Sequence, residues 1–284
     1  RVPFEGGTVE DLTPDMPPYS SWSVNESADG QKLGFMIAGK DGFQAFVKHD
    51  GQFQLAFHTS ALSFGPIFSH SGEVLVVATT ERTGKNEYSL VAVDSASRER
   101  IGELFDENAS IQFKEFSPVA GDLRLLAMTD KSGFTRPLVW DVRSGTRHDI
   151  PLTELTGDIV PWSWSPDAKR LLLCQTDHAQ TYLYLYDIES GGLTRLAHPS
   201  GHLGDWGGGY YTDEGEIFTA WQSATQTPSI VALDGDTGKL LRVVLSSGDA
   251  PAGQAWRSVT FPSTGDVHIQ AWLAVPAGEG DRKS

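Results

Sequence analysis

The sequence predicts an all-β fold in which one four-stranded antiparallel unit is repeated at least five times. Three observations predict it. An apolar run closing on aspartate recurs as AFVKHD to Asp50, SLVAVD to Asp94, PLVWD to Asp141, LYLYD to Asp187 and SIVALD to Asp234, at intervals of 44, 47, 46 and 47 residues. A turn phrase drifts in step with it: SADG (27–30), SHSG (69–72), SPVAGD (117–122), SPDA (165–168) and TDEG (212–215). No window keeps a helical period. A repeat of this size marks a module that buries its faces only against its neighbours. Four strands in about 45 residues, repeated, make the blade of a β-propeller, whose radial stacking leaves only short edges.

Taken in order, residues 1–14 read RVPFEGGTVEDLTP and match LYDIESGGLTRLAHP at 185–199 through a double glycine and a Leu-x-x-Pro or Leu-Thr-Pro ending. Arg1 is therefore expected inside the third strand of a blade whose first two strands are missing. Either the chain is a piece of a longer one, or its own C-terminus supplies those strands. Pro17, Pro18 and Tyr19 are expected to form a crossover between blades. Complete blades are expected at about 20–59, 61–105, 111–152, 158–197 and 203–246.

The fourth blade shows the logic. IVPWSWS, KRLLLCQ, TYLYLYD and LTRLA are separated by Pro-Asp, Asp-His and Gly-Gly turns, as antiparallel hairpins require. Trp162 and Trp164 alternate with Ser163 and Ser165, and Tyr182, Tyr184 and Tyr186 alternate with leucines. A period of two assigns each class to one face. Leu171, Leu172 and Leu173 run together, as in a strand covered on both faces. Each closing aspartate is expected at the tight turn into the fourth strand, its carboxylate accepting backbone N–H groups, with all five in equivalent positions. Residues 255–275 hold two alternating runs around Ser263–Asp266. The expected division is a propeller over 1–254 and, over 255–284, a strand pair that either closes a blade with residues 1–13 or departs toward another domain. The Pro276-Ala277-Gly278 stretch favours departure.

Composition bounds the function. The 284 residues carry 22 basic and 37 acidic side chains, a formal charge of −15. Such a surface repels phosphate backbones and anionic membranes. No apolar run approaches the length of a membrane span. Nucleic acid and membrane are therefore not expected as partners, and the oligomeric state is left open. Cys174 is the one cysteine. It is expected to be a buried, inert thiol in the LLLC strand, and a chain without disulfides points to the cytoplasm.

The sequence assigns no catalytic, cofactor-binding or metal-ligating residue. His198, His202 and Asp205 have an H-x3-H spacing that could ligate zinc on a helix, but Pro199 and Gly201 exclude a helix, so a plain loop is expected. Asp234–Gly238 (DGDTG) looks like a calcium loop without its downstream Glu, and a repeat turn already occupies the place. Gly207, Gly208 and Gly209 lack the Lys and helix of a phosphate cradle. They are expected to relieve crowding or form a bulge, with Trp206, Tyr210 and Tyr211 nearby. Glu115, in FKEFS (113–117), is the exceptional charge in an inner strand.

These phrases resemble a known family. Trp164-Ser-Pro-Asp before a strand, LYLYD after it, and Gly191-Gly192-Leu193-Thr194 are similar to the propeller blades of the prolyl oligopeptidase family of serine peptidases, above all its acylaminoacyl-peptidase and dipeptidyl-peptidase branches. VTFPSTGDVHIQAWLAVPAG (259–278) resembles the segment that opens their α/β-hydrolase domain, with Gly265-Asp266 inverting the usual Asp-Gly order. The resemblance implies a propeller that lies over an active site, filters substrates by size and meets peptide through the hydrolase domain, with no cofactor. The catalytic serine of that family needs a Gly-x-Ser-x-Gly elbow; no serine here has it, so no catalytic role transfers. Two further readings stay open: a free-standing binding propeller of the TolB type, and a self-contained propeller enzyme with a metal in its pore.

Overall fold

The computed structural model describes residues 2–14, 16, 20–204, 208–248, 251 and 253–275. The chain divides into two units, Arg1–Ile150 and Pro151–Ser284. Among the described residues there is no helix.

In the first unit, three four-stranded antiparallel sheets follow one another, each in sequence order. The first holds β1 (Ser20–Glu26), β2 (Leu33–Gly39), β3 (Gly42–His49) and β4 (Gln52–Thr59). The second holds β5 (Ser63–Phe68), β6 (Val74–Thr79), β7 (Ser89–Asp94) and β8 (Arg100–Leu104). The third holds β9 (Ile111–Phe116), β10 (Arg124–Thr129), β11 (Arg136–Asp141) and β12 (Arg147–Asp149). Residues 2–14 form no strand, and how they relate to 255–275 stays an expectation.

The second unit continues the pattern. β13 (Asp158–Trp164), β14 (Arg170–Asp177), β15 (Gln180–Asp187) and β16 (Leu193–Arg195) make the fourth sheet. In the fifth, β17 (His202–Leu203) and β18 (Gly209–Tyr211) both pair with β19 (Ile217–Ser223), followed by β20 (Gln226–Leu233) and β21 (Leu240–Ser246). A hairpin of β22 (Trp256–Pro262) and β23 (His268–Ala274) forms a two-stranded sheet around the expected Ser263–Asp266 turn. The five expected blades thus appear with boundaries within three residues.

The core lies between the sheets. On β6, VLVVAT is buried throughout. Val74, Val76 and Ala78 pack with Leu125, Ala127, Leu138 and Trp140 of the third blade; Leu75 and Val77 pack with Met36, Ala45 and Val47 of the first. A central strand covered on both faces reads as a continuous apolar run for this reason. Each such side chain contributes about 1.5–3 kcal/mol by leaving water. In the second unit, Leu172, Cys174, Leu183 and Leu185 face Ile217, Val231 and Leu233 of the fifth blade.

One expectation about faces is corrected. The first strands of the first four blades all break register at mid-strand, skipping Trp22, Gly65–Pro66, Lys114 and Trp162. A bulge resets the alternation. Trp162 therefore joins the Leu172 side of its sheet, while Trp164 pairs with Leu171 on the other. The two tryptophans do not share a face. The tyrosine–leucine alternation of β15 holds, with Leu183 and Leu185 in the core toward the fifth blade and Tyr184 and Tyr186 buried outside that cluster.

Candidate functional site

The repeat markers prove to be turn chemistry. Ser27, Ser69 and Ser165 are almost fully buried, and each hydroxyl accepts the backbone N–H five residues on, at 2.9 Å from Lys32, 3.1 Å from Val74 and 2.9 Å from Arg170. Four of the five aspartates close a common loop. The N–H groups of Asp94, Asp141, Asp187 and Asp234 donate to the carbonyl five residues on, and their own carbonyls accept the N–H four residues on. Each carboxylate caps the N–H three residues on, at 2.7 Å (Ser97), 2.9 Å (Ser144), 2.8 Å (Ser190) and 2.8 Å (Thr237). The Ser97 N–H holds the Asp94 carboxyl below the usual range, and for Asp187 and Asp234 the hydroxyls of Ser190 and Thr237, each donating at 2.6 Å, do so first and the backbone N–H groups second. Asp50 is the exception to the expected equivalence. It and Gly51 form a two-residue loop with φ of 48° and 82°, the mirror-image turn that suits a short hairpin. The residue three on, Phe53, already belongs to β4 opposite Lys48, and the Asp50 carboxylate oxygen lies 3.5 Å from His49.

The sequence candidates resolve in the same way. His198 accepts the Leu183 N–H at Nε2, at 3.3 Å, and its Nδ1 lies 2.9 Å from the Pro199 carbonyl. A ring that accepts at one nitrogen and donates at the other is neutral, and burial lowers its pKa accordingly. His202 Nδ1 meets the Thr181 hydroxyl at 3.2 Å; Asp205 lies outside the described residues. Among those residues no group of three potential metal ligands converges. Asp236 of the DGDTG turn pairs with Arg170 at 2.6 Å. Glu115 sits half-buried on β9 opposite Leu126. Cys174 is buried, and burial pushes its thiol up to about 12, far from the thiolate range a nucleophile needs. Pro17, Pro18, Tyr19, Trp206, Gly207 and Pro276–Ser284 lie outside the described residues.

The glycine run has a definite partner. A Cβ on Gly204, Gly208 or Gly209 would stand 2.6, 2.9 or 2.8 Å from carbons of the Trp162 ring. Gly204, Gly208 and Gly209 thus lie close against a buried indole. Tyr210 is exposed, and Tyr211 donates to the Gly235 carbonyl at 2.9 Å.

Two features escaped the sequence reading. In the first unit, buried Asp106 is clasped by Arg147 at 2.9 and 3.0 Å, by the Thr129 hydroxyl at 2.7 Å and by Lys131 at 3.3 Å. Burial alone would raise its pKa, but these bonds outweigh it and hold the carboxyl low. In the second unit, the tips of the fourth and fifth blades and the β22–β23 hairpin enclose a cleft of about 960 Å³. Tyr182, Arg195, His202, Trp256 and Trp272 contribute to its lining. The Arg195 guanidinium lies 4.3 Å from the centre of the Tyr182 ring, and the Tyr182 hydroxyl donates to Gln180 at 2.6 Å. The buried Trp272 Nε1 has no hydrogen-bond partner among the described residues. Only the tertiary fold joins Tyr182 to Trp272, 272 − 182 = 90 positions on, so no local motif announced the cleft.

Solved structures share this architecture. Puromycin hydrolase superposes with a TM-score of 0.67 at 16% identity, over 96% of this chain and 45% of its own. The fold is a β-propeller. Dipeptidyl peptidase 4 of Porphyromonas gingivalis matches this propeller with a TM-score of 0.64 at 14% identity, over 89% of this chain and 42% of its own. TolB of Acinetobacter baumannii matches it with a TM-score of 0.53 at 14% identity, over 86% and 61%. The chain therefore spans less than two thirds of each of these proteins. No family model matches the propeller sequence. No curated protein matches it either.

Proposed function

We propose that this chain is the non-catalytic, substrate-gating propeller region of a prolyl oligopeptidase-like serine peptidase acting on short or N-blocked peptides. The observation that carries the reading is the likeness of the blades to propeller-bearing peptidases more than twice this chain's length, joined to the hairpin β22–β23 after the fifth blade. That hairpin exposes Trp256, Phe261, Ile269 and Leu273, apolar surface that a joined domain would cover. On this reading the parts for acyl transfer, an activated hydroxyl, a base and oxyanion donors, belong to the joined domain. The turn serines Ser27 and Ser165 accept backbone N–H groups and donate to the Asp29 and Asp167 carboxylates, and Cys174 is buried with its thiol pKa raised. Peptide would then be the partner through the hydrolase domain. The cytoplasm fits a chain whose one thiol is buried and unpaired.

A second reading, a free-standing TolB-like protein-binding propeller, is favoured by the match to TolB of A. baumannii. One experiment separates them. The 284-residue chain should not turn over chromogenic acyl-aminoacyl or dipeptidyl substrates. The product of the complete gene should cleave at least one and label with a fluorophosphonate. A gene product that neither labels nor cleaves would leave the binding propeller as the reading.

A further inference from the structure

The cleft of the second unit has a polarity opposite to that of the molecule. Acidic residues make up 37 of 284, about one in eight, yet none of the eighteen described residues that line the cleft is acidic. The nearby Asp177 lies 2.9 Å from His178. What the lining offers instead is donors. Arg195 has no carboxylate partner among the described residues, and its guanidinium carbon lies over the Tyr182 ring, 4.3 Å from its centre. With Gln180 Oε1 taken by the Tyr182 hydroxyl, the Gln180 Nε2 protons remain to donate. The Thr181 hydroxyl accepts the Leu203 N–H at 3.3 Å and meets His202 Nδ1 at 3.2 Å. The arrangement that uses the hydroxyl proton leaves the N–H of His202 on Nε2. The Trp256 and Trp272 rings add apolar wall.

We infer that this cleft binds a small organic carboxylate with an apolar body: Arg195 holds the carboxylate and Trp256 and Trp272 hold the body. A guanidinium matches a carboxylate through two parallel N–H bonds, and stacking on an aromatic ring removes much of the entropy cost of orienting it. The negative field elsewhere on the chain discourages anions from the rest of the surface, so a cleft whose described lining holds an arginine and no carboxylate is where such a ligand gains most. Its volume falls in the range of small-molecule sites, about 300–1,000 Å³. The inference asks nothing of a hydrolase domain and stands whichever proposed function holds.

The test is calorimetric titration of the whole chain with N-acetyl-L-phenylalanine and with its amide, which has the same body and no charge. The acid should bind, and the amide should bind at least about tenfold more weakly, as loss of a charge-assisted pair requires. Arg195 is exposed, so Arg195→Gln should fold like the parent by circular dichroism. It should lower the acid to the level of the amide while leaving the amide unchanged; Arg195→Lys should retain part of the preference. Trp256→Ala should weaken both ligands by the same factor. Equal affinity for acid and amide, full acid binding by Arg195→Gln, or no binding of either would each overturn the inference.

Discussion

At the scale of single residues, the repeated loops define a backbone site that one blade fills at a cost. The residue four after the closing aspartate has positive φ in four blades: Gly145, Gly191 and Gly238, but Arg98 at 64° in the second. Arg98 is exposed, so Arg98→Gly should raise stability by about 0.5–1 kcal/mol, the left-handed strain relieved less the added freedom of the unfolded chain. Denaturant titration would check this, and a loss of stability would refute it. Asp106 is the opposite case. Asp106→Ala would leave the Arg147 guanidinium, which is largely buried, with the exposed Asp149 alone at 2.7 Å and should cost about 1.5–3 kcal/mol. The Asp106 carboxyl is held below its ordinary value of 3.8. The wild-type contribution is therefore complete above that value and lost as pH falls through the lower folded one. His198 has the opposite charge logic with the same direction in pH. Its folded pKa lies below 6.5, so the unfolded chain takes up a proton that the folded one resists. Stability should fall as pH drops below about 6.5, and His198→Gln should flatten that slope in thermal unfolding at pH 7.5 against pH 5.5. An unchanged slope would show that His198 does not titrate as the geometry requires.

At the scale of elements, the fifth blade departs most from the repeat. Its inner strand is split into β17 and β18, where the others carry a bulge. Gly204, Gly208 and Gly209 there accommodate Trp162. Gly209→Val should therefore displace the indole or the strand and cost about 1–3 kcal/mol, while Trp162→Ala should cost about 3–5 kcal/mol. If the glycines served only chain flexibility, the double variant would restore little; relief of Gly209→Val in a Trp162→Ala background would identify the contact. Trp272→Phe removes a buried donor that has no acceptor among the described residues and should be neutral or stabilising. β21 leaves Leu241, Val243, Val244 and Leu245 exposed along an edge, the arrangement that invites pairing with another chain.

At the scale of the whole molecule, charge dominates. A formal charge of −15 makes the folded chain repel itself. Raising sodium chloride from about 0.02 to 0.3 M shortens the screening length several-fold and should raise the melting temperature. A fall would mean that ion pairs such as Arg242–Glu216 and Arg170–Asp236 outweigh the net repulsion. The same charge predicts no retention on immobilised DNA at moderate salt.

The blades, their order and the positions of four of the five closing aspartates follow from sequence because each depends on local rules: alternation along a strand, turn residues at a fixed offset, and a continuous apolar run where a strand has two neighbours. LYLYD and VLVVAT carry that information within six residues. What the tertiary structure decided is everything set by more than one blade. The mid-strand bulge put Trp162 and Trp164 on different faces, because an extra residue on one strand shows only against its partner. The two-residue loop separated Asp50 from its counterparts, because a carboxylate caps only the N–H groups that the loop leaves free. Arg147 closed on Asp106 across 41 positions, and Arg195 was stacked on Tyr182 beside two tryptophans from a distant hairpin, because burial and stacking are relations between segments that the order of the chain does not contain.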